Sequence, residues 1–79
     1  MKCKYIVTNH GGFAIFDLGQ THKDIARGLY GIPVGAGMCH ITANSDGCAN
    51  VHCYGESITL KIKSRKEEDE KIINRRIKL

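Results

Sequence analysis

The sequence predicts an α+β fold: a small antiparallel sheet of four to five strands with two helices, in the order β-β-α-β-β(-β)-α. Alternating apolar and polar residues recur at 2–8, 38–43, 48–53 and 57–63, the period of a half-buried strand. Two further segments, 22–30 and 65–79, open on capping residues and space apolar residues as helices do. Gly, Asn, Asp and Pro cluster between these segments, where turns need them.

The first strand spans 2–8, with Cys3, Tyr5 and Val7 on one face and Lys4, Ile6 and Thr8 on the other. Asn9-His10-Gly11-Gly12 is turn chemistry, because Asn and Gly tolerate positive φ. Phe13–Phe16 returns antiparallel. Thr21 then caps a helix from His22 to Tyr30, with Asp24 three residues on and Ile25, Ala26 and Leu29 as its apolar stripe. Gly31 closes it and Pro33 prevents continuation.

Residues 38–53 form a hairpin around Ser45-Asp46-Gly47. Its register pairs Ala43 with Ala49, Ile41 with Val51 and Cys39 with Cys53 on an apolar face. Thr42 then meets Asn50 and His40 meets His52 on a polar face. A one-residue slip would destroy that sorting, so the register is strongly specified. Ser57–Lys63 alternates again after a kink at Gly55. Ser64-Arg65-Lys66-Glu67 reads as a capping box opening a last helix whose apolar positions are Ile72, Ile73 and Ile77. Both helices are expected on one face of the sheet.

A chain of 79 residues has room for one domain, 1–79, and one modest core. No run approaches the ~20 apolar residues that span a bilayer. The N-terminal segment lacks the ~7–15 apolar residues of a secretion signal. A cytoplasmic location is therefore expected, and with it free thiols at Cys3, Cys39, Cys48 and Cys53. Residues 1–60 carry four basic and four acidic side chains, so the whole net charge of +4 falls in residues 61–79.

That asymmetry points to a basic surface made of Lys61, Lys63, Arg65, Lys66, Arg75, Arg76 and Lys78, able to neutralise phosphates. A competing explanation is local: acids early in a helix and bases late complement its dipole. Few aromatics lie near these residues to stack bases.

The hairpin register also sorts the metal-ligand types. Cys39 and Cys53 fall on one face and His40 and His52 on the other, so they cannot jointly hold zinc. The cysteines read as small buried hydrophobes. The histidines read as an exposed pair available to an acidic partner. His22 and Asp24, two apart on a helix, do not face each other as an acid–base pair would. Asn9–Gly12 and Gly35-Ala36-Gly37 lack the strand–loop–helix setting of a phosphate loop.

The expected function is a non-catalytic binding module for an acidic macromolecule, either nucleic acid or a protein that handles one, without metal or cofactor. A second expectation is a stand-alone inhibitor or adaptor docking on a protein complex, the size class of phage-encoded anti-CRISPR inhibitors. A third is a metal or redox role for the cysteines. A homodimer could form through an exposed strand edge or the sparse apolar face of the last helix.

Overall fold

The computed structural model describes residues 1–43 and 49–77 of the chain. Along these residues run β1 (Lys2–Thr8), β2 (Phe13–Phe16), α1 (His22–Ala26), β3 (Pro33–Ala43), β4 (Ala49–Tyr54), β5 (Glu56–Ser57), β6 (Ile62–Lys63) and α2 (Lys66–Ile77). The first four strands form one antiparallel sheet in the order β2-β1-β3-β4, and β5 and β6 pair as a separate ribbon. Class and element order are those predicted, except that Ser57–Lys63, expected as one strand, folds back on itself through a turn at 58–61 to give β5 and β6. The hairpin register is also as predicted, pair for pair from Ala43–Ala49 to Cys39–Cys53. The loop Ser45-Asp46-Gly47 lies outside the described residues, as do Cys48 and Lys78.

The helices do not share a face. Side chains alternate across a strand, and here both sets are apolar. Cys3, Tyr5, Val7, Cys39, Val51 and Cys53 meet Ile73 of α2, with Ile72 and Ile77 beside it. Ile6, Phe16 and Ala36 point the other way, and Ile25, Ala26, Leu29, Leu60 and Ile62 pack on them. The molecule therefore has α2 on one side of the sheet, and α1 with the β5–β6 ribbon on the other. Strand β1 is central and is buried on both sides from Tyr5 to Thr8.

Helix α1 stops at Ala26, four residues short of the predicted end. Gly28 N–H donates to Ile25 O and Leu29 N–H to Ala26 O, a tightening to three-residue turns where glycine weakens the α-helix. The start of α2 also differs from the predicted box. Ser64 Oγ lies 2.6 Å from the Tyr5 hydroxyl, and Asp69 reaches back to accept from Arg65 N–H at 2.9 Å. Asp69 has no exposed surface. Its oxygens also accept from Tyr5 OH at 2.6 Å and from Arg65 Nε and Nη2 at 3.1 and 2.9 Å. A buried carboxylate is tolerated only when so satisfied. The Asp69 carboxylate occupies the space where a Cβ on residue 35 would sit, so glycine at 35 admits the helix to β3.

Strand β4 is an edge, and α2 covers it. Asn74 Oδ1 accepts from Val51 N–H at 2.8 Å and its Nδ2 donates to Val51 O at 3.1 Å. Glu70 Oε2 accepts from Cys53 N–H at 2.7 Å. Residues four apart on a helix are about 6 Å apart along its axis, close to the ~6.8 Å between alternate strand residues. Two side chains of α2 thus take the place of a fifth strand. The chain then bends at Gly55 (φ 77°) and crosses β3 at Gly37, where a Cβ would come within 2.6 Å of Tyr54 O.

Candidate functional site

The α2 face of the sheet is closed, but the α1 face is covered at one end only. Strand β3 has 11 residues, a span of about 35 Å. Helix α1 has five, about 7.5 Å. It and the ribbon sit over Ile6, Ala36 and Phe16 and leave the end near the β1 N-terminus open.

The register places the open residues in rows. Lys4, Met38 and Tyr54 stand side by side on β1, β3 and β4. Lys2, His40 and His52 form the next row, and Thr42 and Asn50 a third. Lys2, His52 and Tyr54 are exposed; Lys4, Met38, His40, Thr42 and Asn50 are half-buried. These rows hold two lysines, three ring-bearing side chains and no carboxylate. Lys4 Nζ donates to Gln20 O at 2.8 Å, which holds its ammonium at the rim beside α1.

A depression of about 310 Å³ continues from the first row. Lys4 and Met38 line it from the sheet, Thr21 and His22 from the start of α1, and Glu56 and Ile58 from the ribbon. Ile58 is 83% exposed. His22 is buried, and its Nε2 lies 2.9 Å from Gly37 O, so that nitrogen carries the proton. Burial, with Lys4 nearby, lowers its pKa from the usual histidine value despite that bond. Asp24 is exposed, and its backbone N–H is capped by Thr21 Oγ1.

The basic residues of the C-terminal quarter fall in two groups, Lys61 to Lys66 around β6 and the start of α2, and Arg75 with Arg76 near its end. Arg65 is clamped on Asp69 and also meets Glu68 at 2.9 Å. Lys66 Nζ lies 2.7 Å from Glu70 and donates to Cys53 O at 3.4 Å. Both are engaged in anchoring α2. Lys61, Lys63, Arg75 and Arg76 are exposed, and among the described residues none of them forms an ion pair. Arg75 and Arg76 lie about 15 Å along the helix from Arg65. Lys63 is the cross-strand partner of Glu56, which borders the depression.

His40 and His52 face each other on the open side, while Cys39 and Cys53 face each other beneath α2. Cys3 extends the cysteine row. All three are buried and reduced. Burial, reinforced by the neighbouring thiol, pushes Cys39 up to about 11 and Cys53 up to about 12. Protonated thiols of this kind are inert packing groups. Among the described residues no group of three or more His, Cys, Asp or Glu is placed to hold a metal.

Sequence reasoning found His40, His52, Thr42 and Asn50 but missed Lys2, Lys4, Met38 and Tyr54 as their neighbours. The β3–β4 pairing is local and readable from a turn. The β1–β3 pairing joins residues 25 to 38 apart and has no local signal. Comparison with protein-family models, with curated proteins and with solved structures gives no match.

Proposed function

We propose that the chain is a non-catalytic binding module for an acidic macromolecule, held on the open half of the sheet. The observation that carries this reading is the set of rows Lys4-Met38-Tyr54 and Lys2-His40-His52, which present cations and rings with no carboxylate among them. Lys63, cross-strand from Glu56 on the ribbon, sets a third cation beside the carboxylate that borders the depression. Arg75, Arg76 and Lys61 contribute to the long-range positive field that steers an acidic partner. The test compares two charge-reversed variants for binding to acidic polymers: Lys2→Glu with Lys63→Glu, and Arg75→Glu with Arg76→Glu. The first pair should weaken binding the more. Loss with the second pair alone, or no binding to any acidic polymer, contradicts the proposal.

A second reading, an adaptor or inhibitor docking on a protein complex, is favoured by the other end of the sheet. There Tyr30 is 79% and Ile32 66% exposed, and the Tyr30 ring lies 4.8 Å from that of His10. A protein complex recovered with this chain after nuclease treatment, and lost with Tyr30→Ala, supports it. Recovery that nuclease abolishes argues against it.

A further inference from the structure

We infer that the acidic partner of the open half-sheet is a single-stranded nucleic acid, with bases on the β4 rings and phosphates along the β1 lysines. This rests on the reading that the open half takes an acidic partner, and it names the class.

The spacing of the rows carries the inference. His52 and Tyr54 are alternate residues of β4 and stand on the same face about 7 Å apart. Side chains of a strand rise roughly perpendicular to the sheet. Two rings so placed leave a slot about twice the ~3.4 Å stacking rise of bases, room for one base between them. His40, across from His52 on β3, widens the ring platform. Stacking on such side chains tolerates any base, because every base has a π-face.

The lysines occupy the matching column. Lys2 and Lys4 lie on β1, two strand spacings from β4, or about 10 Å. A base on β4 can therefore direct its sugar across β3 and its phosphate to β1. Thr42 and Asn50, in the third row, offer neutral hydrogen-bonding groups to a sugar or a base edge. Next to the first row, the depression between Met38 and Ile58 can receive the base that follows.

Other acidic partners fit less of this. Reading a duplex in its major groove takes a projecting helix or ribbon, whereas these rows are a stretch of open sheet that meets α1 and the β5–β6 ribbon at one end only. An acidic peptide would use the lysines but has no use for rings spaced to take a base.

The test uses the intact chain and a fluorescein-labelled single strand of roughly 12 nucleotides. The same sequence as a duplex, and polyglutamate of matched charge, serve as competitors at about 50 mM salt. The single strand should bind about tenfold more tightly than either competitor. Tyr54→Ala and His52→Ala should each weaken it about 5- to 100-fold, and Tyr54→Phe should stay within about twofold of the parent. Both substituted positions are exposed, and unfolding curves confirm that each of the three variants is folded. Equal binding of duplex or polyglutamate, with Tyr54→Ala neutral, overturns this inference and leaves the acidic-partner reading standing. No binding to any of the three polymers overturns both.

Discussion

Asp69 shows how one residue can belong to two different accounts. In the sequence it sits in the run Glu67-Glu68-Asp69-Glu70, where a helix-dipole role is sufficient explanation. In the fold it is the fully buried member of that run, joined to Tyr5 64 positions away. Leaving buried donors without their acceptor costs about 1–3 kcal/mol. Asp69→Ala would leave the Arg65 backbone N–H without its acceptor, the Arg65 guanidinium with Glu68 alone and the Tyr5 hydroxyl with Ser64 alone. We expect it to lower unfolding stability by an amount of that order, measured by urea titration; a loss below about 1 kcal/mol contradicts the anchoring role. The buried thiols give a second prediction. Their folded values, about 11 and 12, lie above the ordinary value of 9.0. Below pH 9 both states are protonated and the thiols' contribution is complete. As pH rises toward 11 the unfolded chain loses protons that the folded chain keeps, so stability falls by about 1.4 kcal/mol per pH unit for each thiol. Burial also pushes Tyr5 upward, assisted by Asp69, in the same sense. The urea midpoint should therefore drop steadily above pH 9, and less steeply in Cys53→Ala. A midpoint independent of pH in that window contradicts it.

Elements were legible where their signals are local. The hairpin register followed from matching apolar and polar faces around one turn. The relative placement of the helices did not, because the small apolar residues Ala14 and Ala36, with Ile6 and Phe16, form a second buried surface that only the pairing of β1 with β2 and β3 assembles. The role of α2 as an edge cover was hidden for the same reason. Glu70 and Asn74 lie outside the apolar set Ile72, Ile73 and Ile77, and nothing local marks them as partners of β4. Burial tends to raise the Glu70 carboxyl, but Lys66 and the Cys53 amide outweigh it and hold the group below its ordinary value. Its contribution is therefore present above the unfolded value of 4.5 and lost as pH falls through the folded one. Glu70→Ala and Asn74→Ala should each cost about 1 kcal/mol and speed hydrogen exchange at the Cys53 and Val51 amides respectively. The double variant should self-associate through the uncovered edge. Unchanged exchange at both amides contradicts the assignment.

At the scale of the molecule, the sheet is closed on one side and half open on the other. No helix among the described residues is long and apolar enough to cross a membrane. The net charge of +4 drew attention to the C-terminal quarter, yet Arg65 and Lys66 there serve the fold. The proposed site draws on Lys2 and Lys4, which a charge count of residues 1–60 cancels against the acids of the same stretch. Counting charge along the chain cannot reveal a row that forms across strands. If Lys2, Lys4 and Lys63 each displace one counterion, the logarithm of affinity should fall with that of salt at a slope of about −2.1 to −2.7. Between 50 and 200 mM that is a loss of about 20- to 40-fold, and a salt-independent affinity contradicts an electrostatic site.

The most direct measurement is amide and side-chain NMR of the labelled chain during addition of a single-stranded oligonucleotide. Shifts should concentrate at Lys2, Lys4, Met38, His40, His52 and Tyr54, with ring resonances of His52 and Tyr54 moving upfield as bases stack on them. Shifts confined to Arg75 and Arg76 at the end of α2, or none at all, would contradict the open half-sheet as the binding surface.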